Sequence, residues 1–298
     1  MRFLGIDLAW AEGSDAKPAR DSGVVALDSS GEVVDAGWTK GLVQTQAWIA
    51  ELAQADTLLF IDAPLVVDNS SGQRLCETQV GRCYGRWKVS ANTTNLQSPR
   101  LAGVHLRQRL EALGWRYDDG RSGPPTAARV MSECYPYTTL VGAWELNYPL
   151  ERPRYKRKPR SLPVAEFRTL RAAACDGLIA RLGALRSTDP PLDLSSHQET
   201  RALLEQSSPY AEVAYKRRED LIDALICVDS RCVASVRLRA LPSAGADVWP
   251  PRFTGDDHRP MSPRATDQSR PTDVAPQPVR RRGHAHTLRP IRSLLWGP

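Results

Sequence analysis

The sequence predicts an α/β fold built around one mixed β-sheet. Near the N-terminus, three runs of strand-forming residues follow one another, and a short Ser-Ser-Gly turn signal separates the second from the third. Farther along the chain, apolar runs typical of buried strands alternate with segments whose apolar residues recur at helical spacing. Hairpin-linked strands followed by strand–helix alternation indicate a sheet with an antiparallel part and a parallel part.

The predicted elements follow from these patterns in chain order. The first helix places Leu42, Ile49 and Leu52 near helical spacing, and the strand after it is a continuous apolar run that stops at Asp62 and Pro64. A helix between two strands implies a right-handed crossover that makes the strands parallel. The predicted strands are residues 2–8, 22–28, 32–38, 57–65 and 127–136; the predicted helices are 42–54, 101–113, 137–146, 164–185 and 218–237, and 67–99 is a long polar loop.

The resulting order is three strands, a helix, a strand, a helix, a strand and then helices. This is the order of the ribonuclease H-like fold, in which the first strand lies between the antiparallel strands and the parallel ones. The predicted class is therefore an α/β, ribonuclease H-like mixed sheet flanked by helices. Strands 1–3 are expected to be antiparallel, and strands 1, 4 and 5 parallel.

In three of the predicted strands the apolar run stops at an acidic residue, namely Asp7, Asp62 and Glu133. If the first, fourth and fifth strands are parallel neighbours spaced ~4.8 Å apart, their carboxyl ends meet at one edge of the sheet. Carboxylates brought together in this way repel one another unless a cation binds them. Hard oxygen ligands suit Mg²⁺ or Mn²⁺, so a metal site is predicted at this edge.

The last predicted helix adds Asp220 and Asp223, which are three residues apart and therefore share a helical face. Two-metal phosphodiester hydrolysis uses carboxylates that hold two ions ~3.5–4 Å apart. The predicted catalytic residues are Asp7, Asp62, Glu133 and Asp223, and the predicted ligands of Mg²⁺ or Mn²⁺ are Asp7, Asp62, Asp220 and Asp223. As alternatives, the acids at the strand ends could cap turns or stay on the surface, and those on the helix could belong to a solvated face.

Four short motifs, GIDLAW, FIDAPL, SECYP and REDLIDALICV, together resemble the domain of unknown function 429 family. That family is described as predicted nucleases of the ribonuclease H-like fold, and the resemblance covers roughly residues 1–240. It implies a metal-dependent nuclease with acids at Asp7, Asp62 and Asp223, and with Glu133 and Asp220 as further candidates. The chain has Asp220 where related Holliday-junction resolvases commonly have His three residues before the last Asp, so their detailed mechanism does not carry over.

A basic segment, RPRYKRKPR at residues 152–160, holds six basic residues among nine with Tyr155 between them. Basic side chains pair with phosphates and an aromatic ring can stack on a base, which favours nucleic-acid binding. A solvated basic loop is the alternative. The predicted nucleic-acid-binding residues are Arg154, Lys156, Arg157 and Lys158.

Charge and composition divide the chain into a domain at residues 1–241 and a tail at 242–298. The tail contains nine Arg and five Asp, so it carries +4 of the formal net charge of +6. It also contains ten Pro, and this composition predicts that the tail is disordered. No run approaches the ~20 apolar residues of a membrane helix, and the first residues lack a signal-peptide pattern, which predicts a cytoplasmic protein. The six cysteines form no CxxC pair and predict reduced thiols, with Cys76 and Cys83 as a lesser metal option.

The function predicted from these observations is metal-dependent hydrolysis of phosphodiester bonds in DNA or RNA, with a nucleic acid as the partner. One alternative is a non-catalytic nucleic-acid-binding or scaffold protein that keeps the fold. A phosphotransferase of the actin and sugar-kinase type is less favoured, because no glycine-rich phosphate loop follows Asp7 or Asp62. The sequence leaves the oligomeric state open.

Overall fold

The structure is a computed structural model that describes residues 1–14, 16–120, 129–144, 146–147, 151, 154–156 and 161–230. Four of the sequence predictions lie outside the described residues: the tail at 242–298, Arg157, Lys158, and the end of the last predicted helix. No helix in the described ranges is long and apolar enough to cross a membrane.

In the described part of the chain, eight strands form two sheets, and the larger sheet positions the site. The strands are β1 Arg2–Asp7, β2 Gly13–Ser14, β3 Lys17–Pro18, β4 Asp21–Leu27, β5 Val33–Lys40, β6 Thr57–Ile61, β7 Arg116–Tyr117 and β8 Arg129–Glu133. The six-stranded sheet has the order β5-β4-β1-β6-β8-β7, and β2 and β3 pair separately. Strand β1 pairs antiparallel with β4 and parallel with β6, and β8 continues the parallel part beside β6. The predicted mixed α/β class, with its antiparallel and parallel parts, is confirmed.

Helices cover both faces of this sheet. They are α1 Gly41–Leu52, α2 Leu75–Tyr84, α3 Ala102–Glu111, α4 Pro136–Ala143, α5 Val164–Ala184, α6 Gln198–Glu205 and α7 Glu212–Asp229. Leucines of α1 and α3 pack with Leu4 and Ile6 of β1 in one core, whereas α4, α5 and α7 share the other core with Val25 and Leu27 of β4. Because the central strands are buried on both faces, they read as continuous apolar runs.

Helix α7 lies unusually close to the sheet, and two glycines make this possible. A Cβ on Gly5 of β1 would lie 2.7 Å from the backbone nitrogen of Val228 and still nearer to the Ala224 carbonyl oxygen. A Cβ on Gly23 of β4 would meet the carbonyl oxygen of Asp220 in the same way. Glycine at these positions therefore lets the helix backbone contact the sheet backbone. This close packing places the acids of α7 beside the carboxyl end of β1.

The largest difference from the prediction is α2, which lies within the segment expected to be a polar loop. Its apolar pattern is weak, and Leu75 at its start is 65% exposed. The helix begins because the carboxylate of Glu77 accepts a hydrogen bond from the backbone N–H of Arg74 at 3.0 Å, which satisfies a donor at the helix start. Helix α7 also starts earlier than predicted, at Glu212, and α6 and β7 were not predicted.

Candidate metal centre

Three carboxylates converge at the carboxyl end of the parallel strands. Asp7 is the last residue of β1, Asp62 follows β6 directly, and Asp223 lies on α7. One oxygen atom from each lies within 4.8 Å of the other two. Asp223 is fully buried and Asp62 is 8% exposed. Among the described residues, this is the group of acidic, His or Cys side chains whose ligand atoms converge enough to hold a metal ion.

The donor set suits a small divalent cation. Ligand oxygens at about 2.1 Å from one octahedral Mg²⁺ are roughly 3 to 4.2 Å apart, so the observed limit of 4.8 Å requires only small side-chain adjustments. All three donors are hard carboxylate oxygens, which favour Mg²⁺ or Mn²⁺ over softer metals. The residues present therefore fit the ion that the sequence predicts.

Asp223 is held by two neighbouring side chains of one segment. The phenol of Tyr155 donates a hydrogen bond to Oδ1 of Asp223 at 2.7 Å. The ammonium group of Lys156 forms an ion pair with Oδ2 of the same carboxylate. The segment itself is anchored, because the hydroxyl of Tyr215 donates to the carbonyl oxygen of Tyr155 at 2.6 Å. Asp223 therefore has a fixed orientation.

Lys156 lies inside the acid cluster. Its side chain is 21% exposed, and its Nζ lies 5.2 Å from the ring centroid of Tyr137 and 5.4 Å from that of Tyr155. Burial would lower the pKa of this ammonium group, but Asp223, Asp7 and Asp62 outweigh burial, and the pKa is raised well above its usual value. Lys156 is therefore a permanent positive charge within the cluster.

A second lysine, Lys216, also lies next to the cluster. Nζ of Lys216 lies 2.5 Å from Oδ1 of Asp220, 3.0 Å from Oε1 of Glu219 and 3.9 Å from Oδ2 of Asp7. Asp220 is buried and within hydrogen-bonding reach of Asp7. The structure thus places Asp220 next to the three converging acids but pairs it with Lys216, whose side chain is 50% exposed.

Burial and mutual repulsion weaken the acidity of the cluster. Burial, followed by the charges of Asp223 and Asp62, raises the pKa of Asp7 well above its usual value. Burial raises the pKa of Asp62 to about 7, since the repulsion from Asp223 and Glu133 offsets part of the stabilisation by Lys156. Without a further cation, the cluster therefore retains protons near neutral pH.

Glu133 stands at the predicted strand end, yet it is engaged by an arginine. The guanidinium of Arg74 donates to both of its carboxylate oxygens, at 2.7 and 2.9 Å, and the backbone N–H of Leu65 donates at 3.0 Å. Arg74 also pairs with Glu77 at 2.8 Å. Glu133 therefore lies beside Asp62 but outside the three converging carboxylates.

Residues 154–156 are the part of the basic segment that the structure describes, and two of these three residues contact Asp223. Arg154 is exposed, as a residue that meets a nucleic acid must be. Lys156, predicted to bind phosphate, instead pairs with Asp223. Tyr155 was expected to stack on a base, but it is 1% exposed and hydrogen-bonds the same acid. Sequence reasoning missed both as members of the acid site, although the cluster of basic residues around Tyr155 did mark the segment.

None of the described cysteines belongs to the group of converging ligand atoms. The five described cysteines are free thiols, and three of them, Cys134, Cys175 and Cys227, are buried. Cys76 is partly buried and Cys83 is exposed. Neither belongs to a convergent ligand group among the described residues.

Fold and site together define an α/β protein with a buried carboxylate cluster at the carboxyl end of a mixed sheet. The chain belongs to the family described as Protein of unknown function (DUF429), whose model matches residues 5–230. The match includes Asp7, Asp62 and Asp223. No curated protein and no solved structure matches the chain.

Proposed function

We propose that the protein is a Mg²⁺- or Mn²⁺-dependent nuclease that hydrolyses phosphodiester bonds in DNA or RNA. The observation that carries this proposal is the convergence of Asp7, Asp62 and Asp223 from β1, β6 and α7 within 4.8 Å. The fold class proposed with it is ribonuclease H-like, supported by antiparallel strands on one side of β1 and parallel strands on the other. A cytoplasmic location and a nucleic-acid partner belong to the same proposal.

The role of each acid follows from the element and the hydrogen bonds that position its carboxylate. Asp7 and Asp62 would bind the ion from neighbouring strands, where hydrogen bonds of the sheet keep their backbones fixed; the N–H of Asp62 donates to the carbonyl of Ile6 at 2.8 Å. Asp223 would complete the ligand set, oriented by Tyr155. A divalent ion bound there supplies activation of water and stabilisation of the charge that develops on the phosphate oxygens.

The test is a cleavage assay with matched carboxamide variants. Purified protein is incubated with single-stranded, duplex and junction substrates in Mg²⁺, Mn²⁺ or a chelator. We expect Asp7→Asn and Asp223→Asn to abolish metal-dependent cleavage and to remove the rise in melting temperature that Mn²⁺ causes. Asp56→Asn is the control, because exposed Asp56 precedes the same strand that Asp62 follows and thus lies at the opposite edge of the sheet. Cleavage that survives in Asp7→Asn would refute the proposal.

One observation favours a second function, a nucleic-acid-binding protein without catalysis. The ion pair between Lys156 and Asp223 already supplies a cation to the cluster, so the fold could persist without a metal. Calorimetric titration with Mg²⁺ separates the two functions. A nuclease requires heat of binding that Asp223→Asn abolishes, whereas the binding protein requires none.

A further inference from the structure

We propose that the ammonium group of Lys156 occupies one of two cation positions at the carboxylate cluster, so that the site takes one divalent ion rather than two. This inference rests on the proposed metal-dependent hydrolysis and specifies how many ions that reaction uses. It assigns to Lys156 a position at the reacting centre, where sequence patterns suggested a contact with substrate phosphate.

The oxygens of Asp223 limit how many ions the carboxylate can bind. The phenol of Tyr155 donates a hydrogen bond to Oδ1, and the ammonium of Lys156 lies against Oδ2 as an ion pair, without a hydrogen bond to that buried oxygen. One divalent ion can still share Asp223 with Asp7 and Asp62. A second ion bridged by Asp223 would have to approach the oxygen on which the ammonium already lies.

Lys156 is fixed in this position by its surroundings. The preceding residue, Tyr155, is held through both its side chain and its backbone. Its hydroxyl donates a hydrogen bond to Asp223, and its backbone carbonyl accepts one from Tyr215. The rings of Tyr137 and Tyr155 both lie within 5.4 Å of the ammonium nitrogen, where their π-faces attract a cation. An ammonium group held this firmly repels a second divalent ion at the same oxygen.

Lys216 is a second lysine at the cluster. The ammonium of Lys216 lies 2.5 Å from Asp220 and 3.9 Å from Asp7, so it already pairs with both acids. The space left for a divalent ion is therefore the one enclosed by Asp7, Asp62 and Asp223. Because the side chain of Lys216 is half-exposed and can turn outward, Lys156 is the more decisive residue to change.

One divalent ion and the ammonium of Lys156 are sufficient to neutralise the three converging acids. When Asp7, Asp62 and Asp223 are all ionised they carry three negative charges, which one divalent ion and the ammonium of Lys156 neutralise together. The ammonium thus replaces a second ion in neutralising Asp223.

The experiment measures Mn²⁺ binding directly. Mn²⁺ is titrated into wild type, Lys156→Met and Lys40→Met by calorimetry, and the bound ions are characterised by electron paramagnetic resonance. Lys156→Met keeps an unbranched, slightly shorter side chain and removes its charge, and Lys40→Met removes the same charge at an exposed site. We expect one ion in wild type and Lys40→Met, with the spectrum of an isolated ion. Lys156→Met should bind a second ion, visible as exchange coupling between the two.

Two results would overturn the inference: two ions bound by the wild type, or identical stoichiometry and affinity in wild type and Lys156→Met. If Lys156→Met does not fold, the wild-type stoichiometry and its spectrum still decide. The test also separates this inference from the proposed function. A wild type that binds one ion but cleaves no substrate would refute the nuclease and leave the role of Lys156 intact, whereas cleavage with two bound ions would do the reverse.

Discussion

The phenol of Tyr155 and the carboxylate of Asp223 are joined by a 2.7 Å hydrogen bond between two buried side chains. Tyr155 belongs to a segment that resembles a basic surface loop in the sequence, yet its side chain lies against the acid cluster. The bond fixes the direction of the one carboxylate that comes from a helix rather than from a strand end, and it makes the stability of the fold depend on the same contact that shapes the site.

Tyr155→Phe should therefore destabilise the protein. The substitution keeps the ring but leaves an oxygen of Asp223 without its hydrogen-bond donor, which costs about 1–3 kcal/mol of unfolding free energy. Urea unfolding followed by circular dichroism measures this. Tyr210→Phe is the control, since Tyr210 is 58% exposed and its change should leave the midpoint unaltered. Equal midpoints for both variants would show that the buried bond contributes nothing to stability.

The raised pKa of Asp62 predicts a pH dependence of opposite sign to that of a salt-bridged acid. Folding raises this pKa from 3.8 to about 7, mainly through burial, so the folded state holds a proton that the unfolded state has released. The contribution of Asp62 to stability therefore falls as pH rises from about 4 to about 7. Other acids titrate in this range as well, so the measurement compares wild type with Asp62→Asn.

Urea unfolding at a series of pH values should show wild type losing stability relative to Asp62→Asn across this window. Above it the difference should level off. Mn²⁺ should oppose the loss, because binding requires the deprotonated carboxylate and stabilises it. A constant difference between the two proteins at all pH values would mean that Asp62 titrates normally.

Gly23→Ala should weaken both the fold and metal binding. The added Cβ would overlap the Asp220 carbonyl, so α7 must shift away from β4, at a cost of about 1–3 kcal/mol or more. Asp223 moves with the helix, and Mn²⁺ affinity should fall. Gly37→Ala is the matched control on β5, because nothing lies within 4 Å of its Cβ. Thermal unfolding measures the loss of stability, and calorimetry measures the loss of Mn²⁺ affinity. Equal stability and equal Mn²⁺ affinity of Gly23→Ala and Gly37→Ala would contradict the close packing of α7 on β4.

Glu133→Gln should lower stability without abolishing metal binding. The change breaks a two-oxygen ion pair with Arg74, and loss of hydrogen bonds to a charged group of this kind costs about 1–3 kcal/mol. Mn²⁺ should bind Glu133→Gln as it binds wild type, since Glu133 lies outside the converging acids. Calorimetry decides the matter: complete loss of binding would place Glu133 among the ligands.

The acids at the strand ends could be predicted because their signal is local. Asp7 and Asp62 each follow an apolar run, and the parallel pairing of those runs then brings the acids together without further information. Asp223 follows from helical spacing in the same way. The coarse architecture rests on equally local patterns, which explains why the mixed sheet was predictable.

The partners of these acids could not be predicted, because they depend on contacts between distant segments. Tyr155 and Asp223 are 68 residues apart, and Arg74 and Glu133 are 59 apart. No local pattern distinguishes a lysine that enters an acid cluster from one that stays in solvent. Helix α2 was missed for a related reason, since buried Glu77 also accepts a hydrogen bond from the backbone of Thr94, seventeen residues later.

The backbone contact between α7 and the two sheet glycines also bears on when the cluster can form during synthesis. Asp7 and Asp62 both leave the ribosome early, whereas α7 begins only at Glu212. A nascent chain shorter than this holds two of the acids and has no third to join them. Because contacts of such long sequence separation form late and slowly, the cluster is completed only when nearly all of the described chain has been made.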